Sequence, residues 1–150
     1  MIRLIQFVSC LQWAVSVRNE DGDFTMLDAP DASATLAFGI NCSGKIVGQY
    51  GASDGTTHGF LRNQKGVFTS FDASGDINPM VGTQARGINS SGEIAGWFTD
   101  AGGSNHGFLR SKSGEYTVID VPGAANTGVL QINDRGEIVG TYGREAMASC

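Results

Sequence analysis

Few residues in this chain could do chemistry. There are two histidines, His58 and His106, and both are followed by Gly-Phe-Leu-Arg. An imidazole can ligate a metal or serve as a general base. A histidine that recurs with its neighbours can equally anchor the loop before a strand through a repeated hydrogen bond, and the recurrence favours that reading. Asp28, Asp72 and Asp120 also recur in equivalent places. Their carboxylates could hold a hard cation, yet each falls where a turn-forming Asp is expected. Trp97 stands where the other copies carry Gln49 and Thr141. A non-repeated aromatic of this kind either fills a gap between repeats or offers a stacking platform to a sugar or peptide. Trp97, His58 and His106 are therefore the ligand-binding candidates.

Nucleophile and phosphate motifs lack their structural setting in this sequence. It contains no His-Glu-x-x-His. Gly51-Ala52-Ser53-Asp54-Gly55 matches Gly-x-Ser-x-Gly by letter but falls in a polar stretch that reads as a loop, with no helix pattern after it. Gly39-Ile40-Asn41-Cys42-Ser43-Gly44-Lys45 matches Gly-x-x-x-x-Gly-Lys, but Ile46 stands where a phosphate loop carries Ser or Thr, and a strand pattern follows instead of a helix. Cys10, Cys42 and Cys150 are odd in number and lack metal-ligand spacing, which argues against a disulfide framework and a zinc site. No catalytic residue, metal or cofactor is expected.

Composition narrows the class further. Glycine supplies 22 of 150 residues, charged residues only 17%, and hydrophobic residues 41%. That hydrophobic share is too high for a disordered chain. No stretch approaches the ~18 apolar residues of a membrane-spanning helix. The net charge is −5 and the ten Lys and Arg are scattered singly, so no basic stripe invites nucleic acid. Residues 1–17 are apolar with Arg3 near the start, resembling a signal peptide. However, Gln6 and Gln12 interrupt the run, and Phe7-Val8-Ser9-Cys10 is a poor lipoprotein box. Residues 1–13 are left as an uncertain N-terminal segment.

These residues sit in an internal repeat. Gly39-Ile40-Asn41-Cys42-Ser43-Gly44-Lys45-Ile46-Val47-Gly48 returns at Gly87–Gly96 and, with Gln131 in place of the first Gly, at Gln131–Gly140. The offsets are 48 and then 44 residues. His58-Gly59-Phe60-Leu61-Arg62 returns as His106–Arg110, and Phe24–Asp28 returns as Phe68–Asp72 and Tyr116–Asp120.

Apolar residues alternate within each block, and turn residues punctuate every six to ten positions, which reads as strand. Asn41-x-x-Gly44 is a turn, with Asn in first position and Gly accepting a positive φ. Ile46, Gly48 and Tyr50 share one strand face, Gly51–Thr57 is a loop, Gly59–Arg62 a third strand and Val67–Phe71 a fourth. Four short antiparallel strands per unit is the pattern of a propeller blade. The chain is thus expected to be all-β, with a half-blade at 14–28, blades at 36–72 and 84–120, a half-blade at 129–143 and a tail at 144–150. Helix is expected to be confined to a turn or two at most, with 144–148 as a place for it. Half, two and half make three blades' worth of strands, fewer than a closed propeller needs. Self-association into a homo-oligomeric ring, or continuation into neighbouring repeats, is expected to cover the open ends.

The order Gly-Ile-Asn-x-x-Gly-x-Ile-Val-Gly, His-x-Phe-Leu, Phe-Thr-x-x-Asp-x-Pro-Gly resembles the bacterial HAF-type extracellular repeat family over about residues 21–143. The family's His-Ala-Phe appears here as His58-Gly59-Phe60 and His106-Gly107-Phe108, and Asp120-Val121-Pro122-Gly123 matches the last motif in full. The resemblance implies a repeat-built, exported protein and brings no catalytic residues. The sequence reading is therefore a non-catalytic extracellular or cell-surface module that binds a glycan or protein ligand or serves as a structural surface. Two alternatives remain beside it. One is a small oligomeric lectin that stacks a sugar on Trp97. The other is a propeller glycosidase or lyase fragment, which would need paired carboxylates.

Overall fold

The computed structural model describes residues 15–73 and 78–143. The expectations for 1–14, for Ser74-Gly75 and for 144–150, with Cys10 and Cys150, lie outside the described residues. The described chain is all-β. A two-stranded sheet of β1 (Val15–Arg18) and β2 (Phe24–Leu27) comes first. A four-stranded sheet follows, with β3 (Ala32–Ile40), β4 (Ile46–Ala52), β5 (Thr57–Arg62) and β6 (Phe68–Phe71) in chain order. A second repeats it with β7 (Thr83–Ile88), β8 (Ile94–Thr99), β9 (Asn105–Arg110) and β10 (Tyr116–Ile119). A two-stranded sheet of β11 (Asn126–Ile132) and β12 (Ile138–Gly143) ends the series. Neighbouring strands are antiparallel throughout. These are propeller-like blades: half, two whole and half.

The turns follow from their residues. At the first, Asn41 N–H donates to Lys45 O and Gly44 N–H to Asn41 O. Gly44 sits at φ 67°, and its equivalent Gly92 at 88°. Asn41 Oδ1 accepts from the backbone of Ser43 and Lys45, so the side chain satisfies the donors that the tight turn leaves over. The first inner strand begins at Ala32, four residues before the expected Leu36, because β-bulges at 32–34 and 37–39 lengthen its pairing with β4. The expected loop at Gly51–Thr57 is shorter than read. Gly51 and Ala52 belong to β4 and Thr57 opens β5.

Stacking buries both faces of the whole blades. Ile46, Val47 and Gly48 are all buried, as are Ile94, Ala95 and Gly96. Each whole blade lies between two neighbours, so both of its faces are interior and the cores lie between blades. Ile46 joins Leu27 and Phe60 in the first layer. Val47, pointing the other way, joins Phe71, Ala85, Ile88, Ile94 and Phe108 in the second. Ala95 joins Val129 and Ile132 in the third. Full burial of Phe60 and Phe108 contributes about 1.5–3 kcal/mol each. The rings fit because their partners are glycines. A Cβ at Gly48 would stand 2.8 Å from Phe60, and one at Gly96 would stand 3.0 Å from Phe108.

Candidate functional site

The two histidines lie at equivalent positions near the start of β5 and β9, and both ring nitrogens of each are engaged. His58 Nδ1 meets Asp72 Oδ2 at 2.8 Å, and its Nε2 meets Thr56 Oγ1 at 2.8 Å. Thr56 Oγ1 in turn donates to Asp54 Oδ1. His106 Nδ1 meets Asp120 Oδ2 at 2.8 Å, and its Nε2 meets Asp100 Oδ2 at 3.2 Å. The rings pack on Tyr50 and Phe98 at centroid distances of 5.5 and 5.3 Å. The hydrogen bond to Asp120 raises the pKa of His106 above its ordinary value; partial burial opposes this, and the bond to Asp100 adds to it. Each histidine ties the end of the fourth strand to the loop before the third. The carboxylates approach opposite edges of the ring, so they diverge from any common point. Among the described residues no group of three or more His, Cys, Asp or Glu is placed to hold a metal ion.

Asp72 and Asp120 thus hold histidines rather than turns. The strand-end turn role belongs to residues the sequence reading missed, Thr35, Thr83 and Thr127. Their hydroxyls accept from the backbone N–H of Ala29, Ala73 and Val121, each the residue after the repeated Asp, at 2.9–3.0 Å. All three threonines are buried. Each fastens the outer strand of one blade to the inner strand of the next. The signal was present: a Thr stands four residues before Gly39, Gly87 and Gln131.

A second unread device links the turns. Asn41 Nδ2 donates to Asn89 O at 3.0 Å, and Asn89 Nδ2 donates to Asn133 O at 3.3 Å. Beside this ladder, Ser90 donates to Asp134 from both its N–H (2.7 Å) and its hydroxyl (2.9 Å). Those bonds hold the Asp134 carboxyl below the usual carboxylate range. Cys42 is exposed and lies 3.6 Å from Ser90 Oγ.

Trp97 lies mid-strand in β8, paired with Gln84 on one side and Gly107 on the other. Its ring faces a cleft of about 170 Å³ between the second blade and the β11–β12 sheet, with Asn105, Asn126, Gly128, Thr141 and Tyr142 as the other main walls. The cleft exists because Gly128 brings no side chain against the indole; a Cβ there would stand 3.7 Å from the ring. The carbonyl ends of both amides already accept a hydrogen bond. Asn105 Oδ1 accepts from Thr99 Oγ1 at 2.9 Å, and Asn126 Oδ1 from Asn105 N–H at 2.8 Å. Each Oδ1 thus has one of its two lone pairs engaged, and the Nδ2 donors with the remaining lone pairs are what the pair offers a ligand. The Arg86 guanidinium supports Trp97 from the inner-strand side, 5.8 Å from its ring and 4.0 Å from that of Phe38. Gln84 Oε1 accepts from Arg86 at 2.8 Å, and burial lowers the Arg86 pKa. Neither histidine is among the residues that line the Trp97 cleft.

No family model and no curated protein matches the chain. Among solved structures it is similar to a selenomethionine-substituted virginiamycin B lyase from Staphylococcus aureus, at 18% identity and a TM-score of 0.45. That match covers 90% of this chain and 50% of the lyase. It is also similar to a streptogramin B lyase, at 18% identity and a TM-score of 0.47, covering 85% of this chain and 47% of that one. The chain spans about half the length of each. Neither match bears on activity.

Proposed function

We propose that this chain is a non-catalytic, propeller-like binding module that works outside the cell, and that its ligand enters the Trp97 cleft. One contrast carries the reading. The repeated His58–Asp72 and His106–Asp120 pairs are bonded within the fold. The non-repeated Trp97 instead stands in an open cleft among side-chain amides and a threonine hydroxyl. The resemblance to HAF-type repeats supports export.

A glycan is the ligand class that this cleft favours, which makes a small lectin the second reading. The indole face can stack on the apolar face of a sugar ring, while amide donors meet its hydroxyls. A glycan array probed with the parent and with Trp97→Ala tests this. Binding by the parent, lost in a variant that melts at the parent temperature, is the expected result. No binding to any sugar removes the lectin reading and leaves a peptide or protein ligand as the one to seek.

A further inference from the structure

The geometry points to a second copy of this chain as the partner that completes the end sheets, closing a ring of six blades. The two half-blades form separate sheets within the chain. Each leaves exposed what its counterparts bury. Val139 on β12 is 63% exposed, whereas Val47 and Ala95 at the same position are 0% exposed. At the other end Ile40 is 60% exposed, whereas Ile88 and Ile132 are 7% and 8% exposed. The pattern in the whole blades says what should cover them. Val47 packs in a layer with Ala85, Ile88 and Ile94 of the next blade, and Ala95 in a layer with Val129, Ile132 and Ile138. By the same step Val139 calls for Ala37, Ile40 and Ile46. Those three residues, with Val15 and Val17, line an open cleft of about 320 Å³ between β1 and β3. Among the described residues the first sheet holds only the outer pair of a blade, β1 and β2, and β11–β12 of a second copy supplies the inner pair beside that cleft.

The register follows from the repeat. Strand two pairs with strand three as Ile46↔Arg62, Val47↔Leu61 and Gly48↔Phe60, and as Ile94↔Arg110, Ala95↔Leu109 and Gly96↔Phe108. Between copies this becomes Ile138↔Arg18, Val139↔Val17, Gly140↔Ser16 and Thr141↔Val15. The Asn ladder would continue from Asn133 Nδ2 to Asn41 O of the second copy. Asp134 would then stand beside Cys42 of that copy, as Ser90 does within the chain. Two copies joined at both ends give six blades, inside the range that closes. Two features make this junction looser than those inside the chain. Gln131 replaces a glycine at the close approach of inner strands. Glu20, equivalent to Gln64 and Lys112, meets the turn of Glu137; Gln64 Cγ and Lys112 Cγ come within 3.5 and 3.8 Å of where a Cβ would stand at Gly44 and Gly92.

Sedimentation of the full chain across the micromolar range should give one species of twice the 15.7 kDa chain mass. Val139→Lys, accommodated in the single chain because the site is exposed, should sediment as a folded monomer. Glu20→Lys should tighten the dimer several-fold, a gain that misfolding cannot imitate. In a Cys10→Ser, Cys150→Ser background, Asp134→Cys should form a disulfide-linked dimer under mild oxidation that disappears with Cys42→Ser. A monomeric parent, a ladder of higher multiples, an unaltered Val139→Lys dimer or no Cys42-dependent cross-link each overturns the closed pair.

Discussion

At the residue scale, two substitutions separate the roles that glycine plays here. Gly44 sits at φ 67°, where a β-branched side chain is strained, while its Cβ position meets nothing closer than Gln64 at 3.5 Å. Gly44→Val should therefore cost about 1 kcal/mol or slightly more through backbone strain alone. Gly96 has no such φ, but a Cβ there would stand 2.0 Å from Gln84 O and 3.0 Å from Phe108. Gly96→Ala should cost about 1–3 kcal/mol or more, because backbone and a fully buried ring must both move. Urea melts rank the two, and equal costs would mean the close approach is not as described. The turn glycine was legible in the sequence from its Asn-x-x-Gly setting. The packing glycine was not, because a strand glycine reads the same whether a ring or solvent lies above it.

His106 gives a pH dependence of known sign. Its folded pKa is raised, first by the bond to Asp120 and then by the bond to Asp100. The stability this contributes is fully present below the ordinary value of 6.5 and is lost as pH rises through the raised folded value. Both carboxylates are part-solvated, so the effect should be under about 1 kcal/mol. Parent and His106→Gln should differ most in melting temperature on the acid side of neutrality and converge in mild alkali. A gap that widens with rising pH would contradict the carboxylate clamp. The recurrence of the histidine suggested a structural hydrogen bond, but its partners could not be named because Asp72 and Asp120 were read as turn residues.

At the element scale, blades are joined by the threonine bonds and the asparagine ladder more than by loop chemistry. Thr83 is fully buried and accepts from Ala73 N–H at 2.9 Å. Thr83→Val keeps the shape but orphans a buried donor, which should cost about 1–3 kcal/mol. Thr83→Ser keeps the hydroxyl and should restore most of that, losing only a methyl contact. Chemical denaturation of the pair checks this; a Ser variant no better than Val would assign the site to packing alone. The strands themselves were legible because alternation and Asn-x-x-Gly turns mark them in each copy. The start of β3 was missed because bulges break the alternation that marks an end, and the end of β4 because Gly51 and Ala52 are small residues that read as loop. The inter-blade bonds were missed because they join residues one repeat apart, which no local pattern displays.

At the scale of the whole molecule, the chain is a short stack whose cores lie between layers, so protection should follow the number of neighbours a sheet has. The sheets of β4 and β8 are bracketed on both faces by the first, second and third core layers. Among the described residues the β11–β12 sheet is bracketed on one face only, and β12 is exposed over most of its length. In Val139→Lys, amides of β12 should therefore exchange fastest among the strands, while β4 and β8 exchange slowest. In the parent, a second copy would add β1 along the free edge of β12 and a fourth core layer over Val139. Protection of β12 should then rise towards that of β4 at high protein concentration and fall on dilution, because association stabilises only the folded form. Protection of β8 should change far less, since its neighbours belong to its own chain. A concentration-independent exchange pattern in the parent, with β12 always fast, would mean the open ends stay open. The sequence carried the half-two-half arithmetic behind this expectation but not the identity of the faces left bare. Val139 and Ile40 look like any other strand residues until their equivalents are seen buried one repeat away.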